Sequence, residues 1–255
     1  MRQVVQVGAD QLPSIGSKLL KNKRFGLLTN PTGIDAKFRS TIDLCHQIEG
    51  AKLTALFACE HGLRNEKQAG ILFEDEIDPV YGIPVYSLYG SNRKPTADML
   101  REIDAVVFDI QDLGVRFYTY LTTLIYVMQS CAAHQVEVIV LDRPNPLGGY
   151  RIEGGMLEEA FFSMVGAWKM PAMTGMTIGE FARLVNGQME KPCELQIVPL
   201  IGWRTVPWNF PKPGCLGSCL RRTCRRSIRY ASTRPTACMK VRMYRKDAAR
   251  PAPSR

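Results

Sequence analysis

No apolar run in this 255-residue chain approaches the ~18–20 residues that a helix needs to cross a bilayer, so no membrane span is expected. The opening, MRQVVQVGADQLPSIGSKLL, lacks both a long apolar core and a small-residue cleavage pattern. Taken as written, the chain is expected to stay in the cytoplasm. The short fingerprints of common cofactors and catalysts are missing too. No GxGxxG follows the first strand-like run, and GxxxxGK(S/T), HExxH and GxSxG do not occur. Gly148-Gly149 and Gly154-Gly155 are isolated pairs that read as turns. Nucleotide binding is therefore disfavoured although an α/β architecture would permit it. The body contains no internal repeat and no low-complexity linker.

A net charge of +9 suggests a polyanion partner until its distribution is considered. From Lys212 onward there are 13 Lys and Arg against one acid, Asp247, while the preceding 211 residues hold 20 basic and 23 acidic groups. The body is mildly acidic and the basic excess lies wholly in the tail. Cysteines divide in the same way. Cys45, Cys59, Cys131 and Cys193 sit in or beside apolar stretches, where a buried free thiol is the ordinary reading. Cys215, Cys219, Cys224 and Cys238 crowd the tail without the paired short loops of a zinc ribbon and with no His among them. No metal site is expected.

Hydrophobic periodicity then lays out the body. Apolar runs at 24–30, 52–58, 84–89, 105–110, 136–141 and 194–200 read as strands. Helices are expected at 40–49, capped by Ser40 or Thr41, and at 97–103, 117–134 and 177–189, the last opened by Thr177. Strands that are apolar throughout and alternate with helices predict an α/β fold. The sheet should be mainly parallel, with helices on both faces.

Polar clusters follow four of these strands: Thr29-Asn30-Pro31-Thr32-Gly33, Glu60-His61-Gly62, Asp109-Ile110-Gln111-Asp112 and Asp142-Arg143-Pro144-Asn145-Pro146. In an open parallel sheet the carboxyl ends of the strands share one edge, where ligands bind. Four clusters on one rim predict a pocket for a polar ligand without naming the reaction.

Six segments carry a more specific signal: GLLTNPTGID (26–35), LFACEHGLR (56–64), GIPVYSLYG (82–90), VVFDIQDLGVRFYTYL (106–121), VLDRPNPLGG (140–149) and GMTIGEFA (175–182). In this order they resemble the bacterial exo-β-N-acetylmuramidase family. The resemblance implies a Rossmann-like N-terminal domain over residues 1–211, followed in the family by a smaller second domain that is truncated here. It also implies removal of terminal non-reducing β-1,4-linked N-acetylmuramic acid from peptidoglycan fragments, in cell-wall recycling, without metal or organic cofactor. One local departure is Cys59, where the family pattern leads us to expect proline before Glu-His-Gly.

The residues suit that chemistry. Glycoside hydrolysis needs one carboxylic acid to protonate the leaving oxygen and a second group to attack or stabilise the anomeric centre. Glu60, at the end of an apolar strand, is expected to be partly desolvated, which favours a protonated acid. The plainer alternative for it is a surface loop acid. His61 is expected to orient it or bind a sugar hydroxyl. Asp109 and Asp112 are candidates for the second role or for orienting an acetamido group, with helix capping as the plainer alternative. Arg116 and Arg143 suit a lactyl carboxylate, because a guanidinium grips a carboxylate bidentately. Either can instead be a structural partner of the aspartates. Tyr118 and Tyr120 are expected to supply one core ring and one sugar-facing ring, while Asn30, Gln111 and Asn145 are hydrogen-bonding candidates. Two rival classes remain. A non-catalytic muropeptide-binding module would keep the rim and need no acid. A nucleic-acid-binding protein would use the basic tail, with affinity falling steeply with salt.

From Pro213 the family pattern stops. Joining the last base of each codon to the first two of the next tests a change of frame. Read so, Pro213 to Arg229 permits GLPWVLPSPNMPTLDT, and the stretch ending at Arg255 permits EGTNVSEGRGTTRPFE. Both strings resemble the family's next motifs in order. Residues 212–255 are therefore expected to be an out-of-frame tail never selected to fold, which leaves no nucleic-acid partner to be inferred from their charge.

Overall fold

The computed structural model describes residues 5–60, 62–64, 75–89 and 91–203. The expected out-of-frame tail and His61 lie outside these residues. The strands are β1 (Arg24–Thr29), β2 (Lys52–Ala58), β3 (Glu76–Ile77), β4 (Pro84–Ser87), β5 (Ala105–Asp109), β6 (Glu137–Leu141) and β7 (Leu195–Val198). The α-helices are α1 (Gly8–Leu19), α2 (Thr41–His46), α3 (Ala97–Leu100), α4 (Tyr120–His134) and α5 (Ile178–Gln188). They build one sheet in the order β3-β4-β2-β1-β5-β6-β7, parallel except for the edge pair β3–β4.

Setting aside β3, the chain starts in mid-sheet, winds outward through β2 to β4, returns across β1 and winds the other way through β5 to β7. This is the doubly wound order, and its switch point falls between β1 and β5. Central strands are buried on both faces, so their residues alternate between two cores. Phe25 and Leu27 of β1, Val107 of β5 and Ile139 of β6 pack with α1 and α2, while Leu28, Val106, Phe108 and Val140 pack against α4 and α5. Register brings Thr29 level with Ala58 on one side and Asp109 on the other, so the loops after β1, β2 and β5 leave from one line. The predicted Rossmann-like α/β class is the one observed.

Candidate active site

The switch point is closed by a buried ion pair. Arg143 Nε donates to Asp109 Oδ1 at 2.6 Å and Nη2 to Oδ2 at 2.8 Å, with both residues buried. The Thr41 hydroxyl also donates to Oδ2, and Arg143 Nη2 donates to the Ile34 carbonyl at 3.0 Å. Thr29 Oγ1 holds the Asp109 carbonyl at 2.9 Å. Gly33 completes the joint because a Cβ there would fall 2.0 Å from Thr29 Oγ1. Of the two roles left open for Arg143, partner of an aspartate is the one this geometry displays.

Beside the pair, Thr32 ties the loops after β1 and β5 together. Its hydroxyl donates to Asn30 Oδ1 at 2.5 Å and accepts from Gln111 N at 2.9 Å, and its own N–H donates to Asn30 Oδ1 at 2.9 Å. Two donors on one atom decide which end of the Asn30 amide is oxygen. Gln111 Nε2 donates to the carbonyls of Asp112, at 2.7 Å, and Pro144, at 2.8 Å. Asp112 Oδ2 accepts from Gly114 N at 2.5 Å. Each side chain leaves one polar atom over. Asn30 Nδ2, Gln111 Oε1 and Asp112 Oδ1 are buried and have no hydrogen-bond partner at full geometry among the described residues, although the buried Tyr120 hydroxyl does interact with Asn30. Such groups cost roughly 1–3 kcal/mol each unless water or a ligand satisfies them. Burial drives the Asp112 carboxyl up to about 7, against the opposing pull of the Gly114 and Leu113 N–H groups.

Glu60 stands one strand over, just past β2, and is half-buried. Its Oε1 accepts from the Tyr89 hydroxyl and its Oε2 from Thr119 Oγ1, both at 3.1 Å. Among the described residues no lysine or arginine pairs with it. Tyr120 lies in the core, while Tyr118 is half-buried and meets it edge-on at 4.7 Å between ring centroids. Cys59, like Cys45, Cys131 and Cys193, is a buried free thiol, and burial pushes it up to about 12.

The remaining candidates are engaged elsewhere. Asn145 Nδ2 donates to the Met176 carbonyl and its Oδ1 accepts from Leu147 N, both at 2.8 Å, so this side chain shapes the loop after β6. Gly114, at φ +72°, packs against it where a Cβ would sit 2.4 Å from Oδ1. Arg116 Nη1 donates to the carbonyls of Gly155 and Met170 at 3.0 and 2.9 Å, and no carboxylate pairs with it among the described residues. Asp142 takes Gly179 N at 2.8 Å and Thr177 Oγ1 at 2.9 Å, anchoring the start of α5. Its burial raises it to about 6. Tyr89, Thr119 and Thr32 were given no role from sequence, and Thr41 only that of a cap. All four lie within or beside the six motifs, but hydroxyls carry no spacing signal of their own.

A doubly wound domain with orphaned polar atoms at its switch point, and one strand over a half-buried acid unpaired among the described residues, is of the class that binds a polar ligand on the carboxyl rim. Comparison with known proteins narrows this. Residues 25–215 match the family described as exo-β-N-acetylmuramidase NamZ, N-terminal, and the chain belongs to that family. It is 46% identical over 217 residues to the peptidoglycan β-N-acetylmuramidase NamZ of Bacillus subtilis strain 168, covering 82% of this chain and 52% of that protein. Two crystal structures of DUF1343 family proteins from Bacteroides fragilis NCTC 9343 are similar. One has a TM-score of 0.75 at 43% identity and the other 0.67 at 30%, covering 80% and 82% of this chain and 52% and 56% of theirs. The chain thus spans about half the length of the relatives it matches.

Proposed function

We propose that this chain carries the acid-bearing half of an exo-β-N-acetylmuramidase that removes terminal non-reducing β-1,4-N-acetylmuramic acid from peptidoglycan fragments in cell-wall recycling. The contrast between two carboxylates carries the reading. Asp109 is gripped on both oxygens by a buried guanidinium, which commits both oxygens to an ion pair. Among the described residues Glu60 is held only by two neutral hydroxyls. It is thereby oriented without being tied into an ion pair, which suits a general acid. We assign the Asp109–Arg143 pair to positioning the loops. Asp112 and Gln111, with Asn30, supply polar atoms for the ligand. Replacing Glu60 by Gln tests the assignment. Hydrolysis of a chromogenic β-muramide should fall at least a hundredfold, about the contribution of general acid catalysis, while melting temperature and muropeptide binding persist. Unchanged hydrolysis would show that another group is the acid. Binding without hydrolysis by a protein restored to the family's reading frame would instead favour a non-catalytic muropeptide module.

We further propose that residues 212–255 arise from a change of reading frame, supported by the two back-translated strings and by the basic excess confined to that segment. On this reading the polypeptide as written has impaired activity. The DNA sequence across codons 209–214 tests it directly, since an intact frame there overturns it.

A further inference from the structure

Among the described residues three non-glycines have positive φ: Asn22, Phe38 and Gln135. Asparagine tolerates that region, and Gln135 is the left-handed C-cap of α4. Phe38 has neither excuse. It sits at φ +64° and is 60% exposed.

The loop around it is a small hairpin. Ile34 and Ser40 bridge antiparallel, Phe38 N donates to the Asp35 carbonyl at 3.0 Å, and Asp35 N donates to the Arg39 carbonyl at 3.0 Å. A turn followed by one left-handed residue is a three-residue hairpin connection, and its left-handed position calls for glycine. A phenylalanine there is strained by roughly 1–2 kcal/mol. The rest of the loop over-determines it. The buried Asp35 carboxylate accepts from Lys37 N at 2.9 Å, Arg39 N at 2.8 Å and Arg39 Nε at 2.7 Å, and Asp10 Oδ1 takes Ala36 N at 2.6 Å. The neck is tied into the rim, through Arg143 on the Ile34 carbonyl and Thr41 on Asp109. A rigid hairpin rooted in the candidate site therefore holds an aromatic ring out in solvent, at a position where a ring is locally the wrong choice.

We propose that Phe38 is a sugar-stacking platform, its exposed ring receiving the apolar C–H face of a pyranose of the bound glycan. This rests on the glycosidase reading above and extends it to a second contact surface on the loop after β1. Aromatic rings present a broad apolar face at little entropic cost, and a glycan lying along the rim exposes matching faces.

The test uses the full chain with Phe38→Gly, Phe38→Asn and Phe38→Tyr, and as probe the disaccharide of N-acetylmuramic acid β-1,4-linked to N-acetylglucosamine. Relief of strain should raise the melting temperature of the Gly and Asn variants by roughly 1–3 °C. Their affinity, read by calorimetry, should fall roughly tenfold, while the Tyr variant keeps both properties of the parent. Lower melting temperatures for Gly and Asn would show that the ring packs structurally, overturning the proposal. So would unchanged affinity in a parent that binds. A parent that binds no disaccharide overturns the glycosidase reading together with this one.

Discussion

Two buried aspartates three residues apart, Asp109 and Asp112, show how little residue type says about duty. Asp109 is neutralised by Arg143, so removing one member strands a charge in the core. Asp109→Asn should destabilise the fold by about 3 kcal/mol or more, read as a shift of the denaturant midpoint. A loss under about 1 kcal/mol would mean the pair contributes little. Asp112 has no cation and is raised by burial from 3.8 to about 7, and Asp142 to about 6. Because the folded values lie above the unfolded ones, the stability these two groups contribute is full below about pH 3.8 and is lost as pH rises through 6 to 7. Asp112→Asn should flatten part of that decline, measured as unfolding free energy between pH 4 and 8. An unaltered slope would place the titration elsewhere. The sequence located these acids on the rim but could not say which was paired, because Arg143 lies 34 residues from Asp109 and meets it only through the β5–β6 pairing. Nor could it find the hydroxyls on Glu60, since Tyr89 and Thr119 come from segments 29 and 59 residues away.

Elements were more legible than partnerships, because burial periodicity is local. The runs at 52–58 and 105–110 correspond to β2 and β5, and the capping residue foreseen at Thr177 closes a box with Glu180. The expected helix at 117–134 begins only at Tyr120 because residues 115–119 turn past the rim, where Thr119 reaches Glu60. Helix α1 went unread: Pro13 lies inside it and Gly8 and Gly16 thin its apolar stripe, each weakening helix propensity. Gly8 is there for contact, since a Cβ would lie 2.7 Å from Asp142 N and from Leu141 Cα at the end of β6. Backbone cannot yield as a flexible side chain does, so Gly8→Ala should cost about 1–3 kcal/mol by overpacking. Thr177→Ala loses both the cap on Glu180 N and the bond to Asp142, and should cost about 1–2 kcal/mol. Thermal denaturation of the two variants checks this, and a neutral Gly8→Ala would show that α1 is free to shift away from the sheet.

At the scale of the whole molecule, one rim alone makes a poor glycosidase. The acid, the loop-holding ion pair and the orphaned polar atoms all lie on one doubly wound domain, while the relatives are about twice the matched length. A glycosidase must orient its sugar and exclude water from the reacting centre as well as supply a proton. On the proposed change of frame, restoring the base so that the GLPWVLPSPNMPT reading continues supplies the family's remaining sequence. The restored product should release N-acetylmuramic acid from a chromogenic β-muramide much faster than the 255-residue form. Glu60→Gln introduced into the restored protein should then remove most of that release while leaving its melting temperature in place, because the amide keeps the acid's shape, accepts from one hydroxyl and donates to the other, and has no acidic proton to give. Two results would count against this account. Equal release by the short and restored forms would show that one domain suffices, and full release by the Gln variant would move the acid away from the loop after β2.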